Sequence, residues 1–289
     1  MTISRRSFAG LGPLSLSRLL RASPSTPGSL PATFRKLEQR SGGRLGVAVL
    51  NTATGESAYH RAGERFPMCS TFKFLLVSAV LRRVDRREET LDRTVAIPPK
   101  PLLAHSPLTE PHAGGTMTAA ALCHAALTQS DNTAANLLLE GIGGPAGITE
   151  FARSIGDAVT RLDRTEPELN EALANDPRDT TSPSAMAADL KSVLLGNVLS
   201  PASREQLTRW MEANVTGADR LRAQLPQAWR AADKTGSNGK HTTNDIAVVW
   251  PPGKRPIVIA AYITRCAGPE SKRSAMLAEI GRAVAESNG

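Results

Sequence analysis

Hydrophobic residues follow strand-like spacing near both ends of this chain and helix-like spacing in its middle. The chain therefore divides into three parts. The first part predicts an amphipathic helix and two strands, over residues 30–40, 44–50 and 57–60. The last part predicts three strands and a closing helix, over residues 229–234, 245–250, 257–266 and 272–286. Because these strands lie at both ends of the chain and have their own helices, they predict one antiparallel sheet covered by helices.

The middle part has helical spacing instead. Helices are predicted over residues 70–84, 119–128, 133–141, 145–155, 183–195 and 201–213. Two of them begin with a capping serine before a first-turn proline, at Ser182-Pro183 and Ser200-Pro201. We therefore predict an α/β (α+β) fold, a five-stranded antiparallel sheet flanked by helices. An all-α domain, residues 67–213, is expected to be inserted into the sheet domain, residues 30–66 and 214–289.

Charge and composition argue against a nucleic-acid partner. The 289 residues carry a net charge of +8, but four arginines and no acid lie within the first 28, which leaves +4 for the rest. Aromatic residues make up 4% of the chain, which is few for a surface that stacks bases. No apolar run reaches the roughly 18 residues that a membrane span needs. We therefore expect neither nucleic acid nor membrane insertion.

The cysteines and histidines do not have the spacing of a metal site. Cys69, Cys123 and Cys266 are far apart, and the five histidines show no H-x-H or H-E-x-x-H pattern. We therefore expect no metal and no cofactor.

The N-terminus has the pattern of an export signal. Arg5 and Arg6 precede a modest apolar stretch, as in a twin-arginine signal peptide. Residues 1–29 are therefore predicted to be a signal segment, and the protein is expected in the periplasm. The alternative is a basic tail without a targeting role.

The first candidate for catalytic chemistry lies at the start of a predicted helix. Ser70 and Lys73 are three residues apart, so their side chains are adjacent on one helical face. The run around them is apolar almost all round, which predicts a buried helix. An isolated buried ammonium is costly, so Lys73 needs a partner. The S-x-x-K spacing also occurs at residues 237–240, and the motif alone is therefore weak.

Two further motifs make the first one specific. Ser130-Asp131-Asn132 lies between two predicted helices, and Lys234-Thr235-Gly236 follows a predicted strand. The motifs S-x-x-K, S-D-N and K-T-G are together characteristic of class A β-lactamases and penicillin-binding proteins. From about residue 30 to its C-terminus, the chain resembles a class A serine β-lactamase.

Glu166 and Asn170, in a segment with opposite charges at its ends, favour a lactamase over a penicillin-binding protein. They lie within Arg164-Thr-Glu-Pro-Glu-Leu-Asn170, which corresponds to a lactamase motif. Pairing of Arg164 with Asp179 would close residues 161–179 into an Ω-loop and direct Glu166 inward. The alternative is that Glu166 is one more solvated acid in a polar loop.

The resemblance implies hydrolysis of the β-lactam amide of penicillins and cephalosporins, in an active site between the two domains. Ser70 would attack the lactam carbonyl, and either Lys73 or Glu166 (through a water) would take its proton. Ser130 would pass a proton to the leaving nitrogen, and Glu166 with Asn170 would hold the water that hydrolyses the acyl-enzyme. Substrate contacts are implied for Asn132, Asn170, Lys234, Thr235, Gly236 and Ser237.

The chain departs from the lactamase pattern at one position. Many relatives carry an arginine on the strand after K-T-G, and we assign that position to Asn244 in this chain. The resemblance implies that Arg220 replaces that arginine beside the substrate carboxylate, and the alternative is a solvated surface arginine. We also expect Lys73 and Lys234 to disfavour each other's charge in one pocket, which would make Lys73 a better base.

Two other functions stay open at this point. A penicillin-binding DD-peptidase would share the first three motifs but lack Glu166, and a β-lactam sensor would become acylated and stay so. The deacylation rate separates all three. We expect a monomeric enzyme that turns over and confers antibiotic resistance.

Overall fold

The computed structural model describes residues 29–288, so the predicted signal segment lies, apart from Ser29, outside the described residues. Helices are present at Leu30–Ser41 (α1), Phe72–Asp85 (α2), Ala119–Thr128 (α3), Asn132–Gly141 (α4), Pro145–Ser154 (α5), Pro183–Leu190 (α6), Pro201–Glu212 (α7) and Glu270–Glu286 (α8). Strands are present at Arg44–Asn51 (β1), Ser57–His60 (β2), Phe66–Pro67 (β3), Thr94–Ala96 (β4), Thr116–Thr118 (β5), Thr180–Thr181 (β6), Arg230–Ser237 (β7), Thr243–Trp250 (β8) and Ile257–Thr264 (β9).

The predicted sheet is confirmed. Five strands pair antiparallel in the order β2-β1-β9-β8-β7, with Ala48 opposite Ala260. Side chains alternate across the sheet, so Val49 packs in the hydrophobic cluster that contains α1 and α8, whereas Ala48 packs in the cluster that contains the helical block. Strand β7 lies at one edge of the sheet and contacts α7 and the turn Cys69–Thr71.

Helix α2 lies at the centre of the helical block. Its residues from Phe72 to Leu81 are all buried, and it contacts α3, α4, α5 and α7. This confirms the predicted buried helix. The turn Cys69–Thr71, just before α2, contacts β7 and β8. The larger hydrophobic cluster joins the helical block to one face of the sheet, and the domain boundary between them stays a prediction.

Both predicted serine caps are confirmed. The Ser182 hydroxyl accepts a hydrogen bond from Ala185 N, and the Ser200 hydroxyl accepts one from Ser203 N, each at 3.2 Å. The helix predicted over residues 183–195 is shorter than expected, because α6 ends at Leu190 and a π-helical turn, Lys191–Leu195, follows it.

Two short strand pairs were not predicted. β3 pairs with β6, and β4 pairs with β5, each over only two or three residues. Such segments are too short to show the alternation that marks a strand in a sequence. The β3–β6 pair matters for function, because it joins the segment before Ser70 to the end of the 161–179 loop.

None of the helices between residues 29 and 288 combines the length and the apolar character that crossing a membrane requires.

Candidate active site

A cleft of about 430 Å³ lies beside β7 and the start of α2, and it collects the predicted site residues. Those that line it directly are Ser70, Ser130, Asn132, Asn170, Arg220, Thr235, Gly236 and Ser237. Lys73, Glu166 and Lys234 lie buried next to them, each no more than 2% exposed. The structure therefore brings together all the side chains that the sequence motifs singled out.

The segment that carries Ser70 is held in an uncommon backbone conformation. Cys69 has a φ of 45° and Ser130, on the opposite wall, has a φ of 58°. Non-glycine residues with such positive φ values are uncommon and are often found at functional sites, where the surrounding structure imposes them. Ser70 itself is partly exposed to the cleft, and its hydroxyl donates to Glu166 Oε1 at 3.3 Å.

Lys73 has the partners that its burial requires. Its ammonium donates to Ser130 O at 2.7 Å and to Asn132 Oδ1 at 2.6 Å, and it lies 3.1 Å from Glu166 Oε1. The first two contacts are hydrogen bonds, and the third is an ion pair. The buried charge is therefore compensated by a carboxylate and two carbonyl oxygens.

The lowered pKa of Lys73 has a different cause from the one predicted. Burial lowers it, while the neighbouring charge of Glu166 acts in the opposite direction. The expected repulsion acts on Lys234 instead: burial holds the pKa of Lys234 well below its usual range, and the charges of Lys73 and Arg220 lower it further. The direction expected for Lys73 is thus confirmed, but desolvation rather than Lys234 accounts for it.

Ser130 connects the two lysines. Its hydroxyl accepts a hydrogen bond from Lys234 Nζ at 3.1 Å, and its carbonyl accepts one from Lys73. The next residue, Asp131, is buried and fixes this turn, because its carboxylate accepts from Ala134 N at the start of α4 and from the backbone N–H of Thr109. Lys234 therefore holds the Ser130 hydroxyl at the cleft, and Asp131 fixes the turn that carries it.

The predicted closure of the 161–179 loop is confirmed. Arg164 Nε donates to Asp179 Oδ2 at 2.6 Å, and Asp179 Oδ1 accepts from Arg164 N at 2.9 Å. Asp179 is only 1% exposed, so this ion pair is largely shielded from water. The carbonyl of Asp179 also accepts from Met68 N at 2.9 Å. The end of the loop is thereby tied to the chain just before Ser70.

This closed loop turns Glu166 towards Ser70. Asn136 on α4 holds its backbone from both sides, since Asn136 Oδ1 accepts from Glu166 N at 3.0 Å and Asn136 Nδ2 donates to Glu166 O at 2.8 Å. Asn170 Nδ2 donates to the second carboxylate oxygen, Glu166 Oε2, at 2.5 Å. Glu166 therefore faces Ser70 and Lys73 with one oxygen and Asn170 with the other.

Strand β7 approaches the Ser70 turn at Gly236. A Cβ at this position would lie 2.6 Å from Met68 O and 3.2 Å from Ser70 N, so a larger residue would push the two segments apart. The close approach brings the backbone of β7 beside the N–H of Ser70. Two backbone N–H groups at such a place can stabilise an oxyanion.

Arg220 is fixed at the end of β7. Its guanidinium donates to Gly236 O at 3.1 Å, to Asn244 O at 2.8 Å and to Glu270 Oε1 at 2.8 Å. It is 7% exposed, which excludes the alternative of a solvated surface arginine. Asn244 does not line the cleft, and its side-chain amide donates to Pro67 O and Met68 O. Asn244 supplies no positive charge, and Arg220 provides the guanidinium on this wall of the cleft.

Several residues of the site were missed by the sequence reasoning. His105, Thr216 and Glu270 line the cleft, and Asn136 holds the backbone of Glu166. Asn136 belongs to the segment after Ser130 that resembles a lactamase motif, which is a signal that could have been used. Glu270 has no local signal, because its partner Arg220 is 50 residues away in sequence.

Within residues 29–288, no group of three or more histidine, cysteine or acidic side chains has the geometry of a metal site. The three cysteines are buried, and each is a free thiol.

Comparisons with known proteins agree with this geometry. The sequence matches the family described as "Beta-lactamase enzyme family" over residues 29–287. It is 49% identical to β-lactamase L2 of Stenotrophomonas maltophilia, over 93% of this chain and 92% of the relative. It is also 49% identical to β-lactamase CTX-M-25 of Escherichia coli, over 86% of each chain.

Solved structures agree as well. An ancestral class A β-lactamase superposes with a TM-score of 0.88 at 60% identity and covers 90% of this chain and 100% of its own. A β-lactamase from Xanthomonas campestris has a TM-score of 0.88 at 49% identity and covers 90% of this chain and 97% of its own.

Proposed function

Because the chain belongs to the class A serine β-lactamases, we propose that it hydrolyses penicillins and cephalosporins through an acyl-enzyme formed on Ser70. The observation that carries this proposal is the buried cluster around that hydroxyl. Glu166 contacts both Ser70 and Lys73, and Lys234 reaches the same cluster through Ser130.

Acylation begins with attack of Ser70 Oγ on the lactam carbonyl carbon. The new C–O bond forms a tetrahedral oxyanion, which the backbone N–H groups of Ser70 and Ser237 stabilise. The Ser70 hydroxyl already donates to Glu166, whereas Lys73 is hydrogen-bonded to Ser130 and Asn132. This arrangement favours Glu166 as the base that takes the serine proton, with Lys73 stabilising the carboxylate.

The C–N bond of the lactam then breaks, and its nitrogen needs a proton. The Ser130 hydroxyl donates that proton, because it faces the cleft and accepts a hydrogen bond from Lys234. Burial and the charge of Lys73 lower the pKa of Lys234, so its ammonium can replace the proton that Ser130 gives away. The proton that Glu166 took from Ser70 then passes by way of Lys73 and Ser130 to the neutral Lys234, so Glu166 is a carboxylate again before deacylation.

Deacylation uses the two groups that the 161–179 loop presents. Glu166 and Asn170 hold a water molecule beside the ester, and Glu166 takes its proton as the water attacks the acyl carbon. The C–O bond to Ser70 then breaks, and Glu166 gives the proton that it took from the water to Ser70 Oγ. The contacts between Glu166, Asn170 and Ser70 support this step.

The remaining residues bind the substrate. Thr235, Ser237 and Arg220 line the wall where the substrate carboxylate is expected, and Lys234 lies buried behind it. Gly236 allows the close approach of this wall to Ser70. Asn132 lies on the opposite side and is proposed to bond the amide side chain of the substrate.

The direct test of this function is steady-state hydrolysis by the purified protein. A chromogenic cephalosporin and a simple penicillin should each yield product in large molar excess over the protein. A sensor or a penicillin-binding protein would stop near one equivalent, which would contradict the proposal.

The role of Arg220 leads to a separate prediction. Arg220→Ala should lower kcat/KM for a penicillin by about 10- to 100-fold, mainly through KM, because a charge-assisted hydrogen bond contributes roughly 1.5–3 kcal/mol. The kcat/KM of Arg220→Lys should lie between those of Arg220→Ala and the unmodified enzyme, since lysine keeps the charge but not the planar guanidinium. The control is the methyl ester of the same penicillin, on which both variants should act like the unmodified enzyme. Equal losses of kcat/KM on the penicillin and on its methyl ester would mean that Arg220 supports only the structure.

We further propose that residues 1–29 export the protein to the periplasm by the twin-arginine route. The paired Arg5 and Arg6 support this route. Changing both to lysine should retain the active enzyme in the cytoplasm, as measured by β-lactamase activity in the two fractions. Lysine at Arg18 and Arg21 is the matched control and should not alter export. Full periplasmic activity without the arginine pair would favour the general secretory route.

A further inference from the structure

Glu270 is an acidic side chain on the cleft wall that the catalytic steps do not use. It is the first residue of α8, and its side chain is 37% exposed. Among the described residues that line the cleft, it is the one with an acidic side chain. The catalytic carboxylate, Glu166, is buried behind the wall.

The two carboxylate oxygens of Glu270 have different surroundings. Oε1 accepts from Arg220 Nη2 at 2.8 Å, while the other terminal nitrogen, Nη1, is held by the carbonyls of Gly236 and Asn244. The guanidinium therefore cannot turn freely. Across residues 29–288, no protein donor is hydrogen-bonded to Glu270 Oε2, and this oxygen is available to a ligand in the cleft.

We propose that Glu270 makes the cleft select β-lactams that carry a cationic substituent on the ring atom next to the one bearing the carboxylate. This inference rests on the proposed function, in which Arg220 and Thr235 bind that carboxylate. In cephalosporins the carboxylate-bearing carbon is bonded directly to the carbon with the variable 3-substituent. A carboxylate that lies beside Arg220 therefore brings the 3-substituent close to Glu270.

Charge decides which substituents are favoured there. Arg220 attracts the substrate carboxylate but repels a nearby cation, and Glu270 offsets that repulsion where the cation approaches its free oxygen. A neutral substituent gains nothing from Glu270, and an anionic one is repelled. The neighbouring Asp219, whose carboxylate lies 4.0 Å from Arg220 Nε, is more exposed and does not line the cleft.

The test compares two cephalosporins that differ only in the 3-substituent, a neutral acetoxymethyl and a cationic pyridiniummethyl group. The measured quantity is the ratio of their kcat/KM values. In Glu270→Gln the ratio of cationic to neutral substrate should fall by about two- to fivefold, the range of a partly exposed ion pair. Raising the ionic strength should shrink the same ratio in the unmodified enzyme, since salt screens such pairs.

Glu279→Gln is the matched control. It removes the same charge from the same helix, but Glu279 pairs with Arg40 and lies away from the cleft, so the ratio should not change. Glutamine at residue 270 keeps an oxygen that can accept from Arg220. If Glu270 only positions Arg220, Glu270→Gln would slow both substrates equally and leave the ratio unchanged, which would overturn the proposal. Failure of the proposed function itself would appear as no turnover of either substrate by the unmodified enzyme.

Discussion

Replacing Glu166 with alanine should give a protein that penicillin still acylates but that hydrolyses the resulting acyl-enzyme very slowly. A serine ester hydrolyses slowly unless a base activates a positioned water, and such assistance is typically worth about 10²–10⁴-fold. Glu166 is held for this task by Asn136 and Asn170, within a loop closed by the Arg164–Asp179 ion pair. We therefore expect deacylation to fall by about 10²–10⁴-fold.

Rapid-mixing absorbance measurements with Glu166→Ala should show a burst of about one equivalent of opened lactam, followed by almost no further reaction. The burst itself can be slower than in the unmodified enzyme, because Glu166 also contacts the Ser70 hydroxyl. Glu168→Ala is the control, since Glu168 lies exposed in the same loop and should not affect turnover. If Glu166→Ala turned over penicillin at the rate of the unmodified enzyme, Glu166 would have no role in deacylation.

Replacing Ser70 with alanine should abolish both the adduct and the turnover. Ser70 is the hydroxyl that contacts Glu166 in the cleft, and its backbone N–H lies beside Gly236 of β7. Loss of the nucleophile in a serine hydrolase lowers kcat on the order of 10⁶-fold. The thermal unfolding of Ser70→Ala should still show a cooperative folded protein.

The measurement is the intact mass after mixing with a slowly hydrolysed β-lactam. The unmodified protein should gain the ligand mass and Ser70→Ala should not. Ser154→Ala, a change at an exposed serine on α5, should form the adduct normally. An adduct that persists in Ser70→Ala would identify a different nucleophile.

Much of the site could be predicted because its key residues occur in short motifs with clear local contexts. The S-x-x-K spacing predicted that Ser70 and Lys73 lie close together at a buried helix, and the opposite charges of Arg164 and Asp179 indicated a closed loop. The buried helix and the closed loop are confirmed, but Ser70 lies in the turn before α2, and both it and Lys73 contact Glu166 Oε1. Sequence periodicity also gave the five strands of the sheet.

What could not be predicted depends on contacts between distant segments. The partners of the Lys73 ammonium come from residues 57 to 93 positions away, and the burial that lowers its pKa is a property of the packed core. The pairing of Glu270 with Arg220 is set by how α8 packs beside β8. The β3–β6 pair is too short to leave a pattern, yet it joins the loop to the segment before Ser70.

The central claim is that Ser70 is acylated and then freed by a water that Glu166 activates. Its most direct test is the intact mass of the unmodified protein during reaction with excess penicillin, recorded together with the amount of product. We expect mostly unmodified protein, a small transient fraction bearing the mass of the penicillin, and product many times in excess of the protein. Quantitative and lasting conversion to the adduct, with about one equivalent of penicillin consumed, would contradict the account.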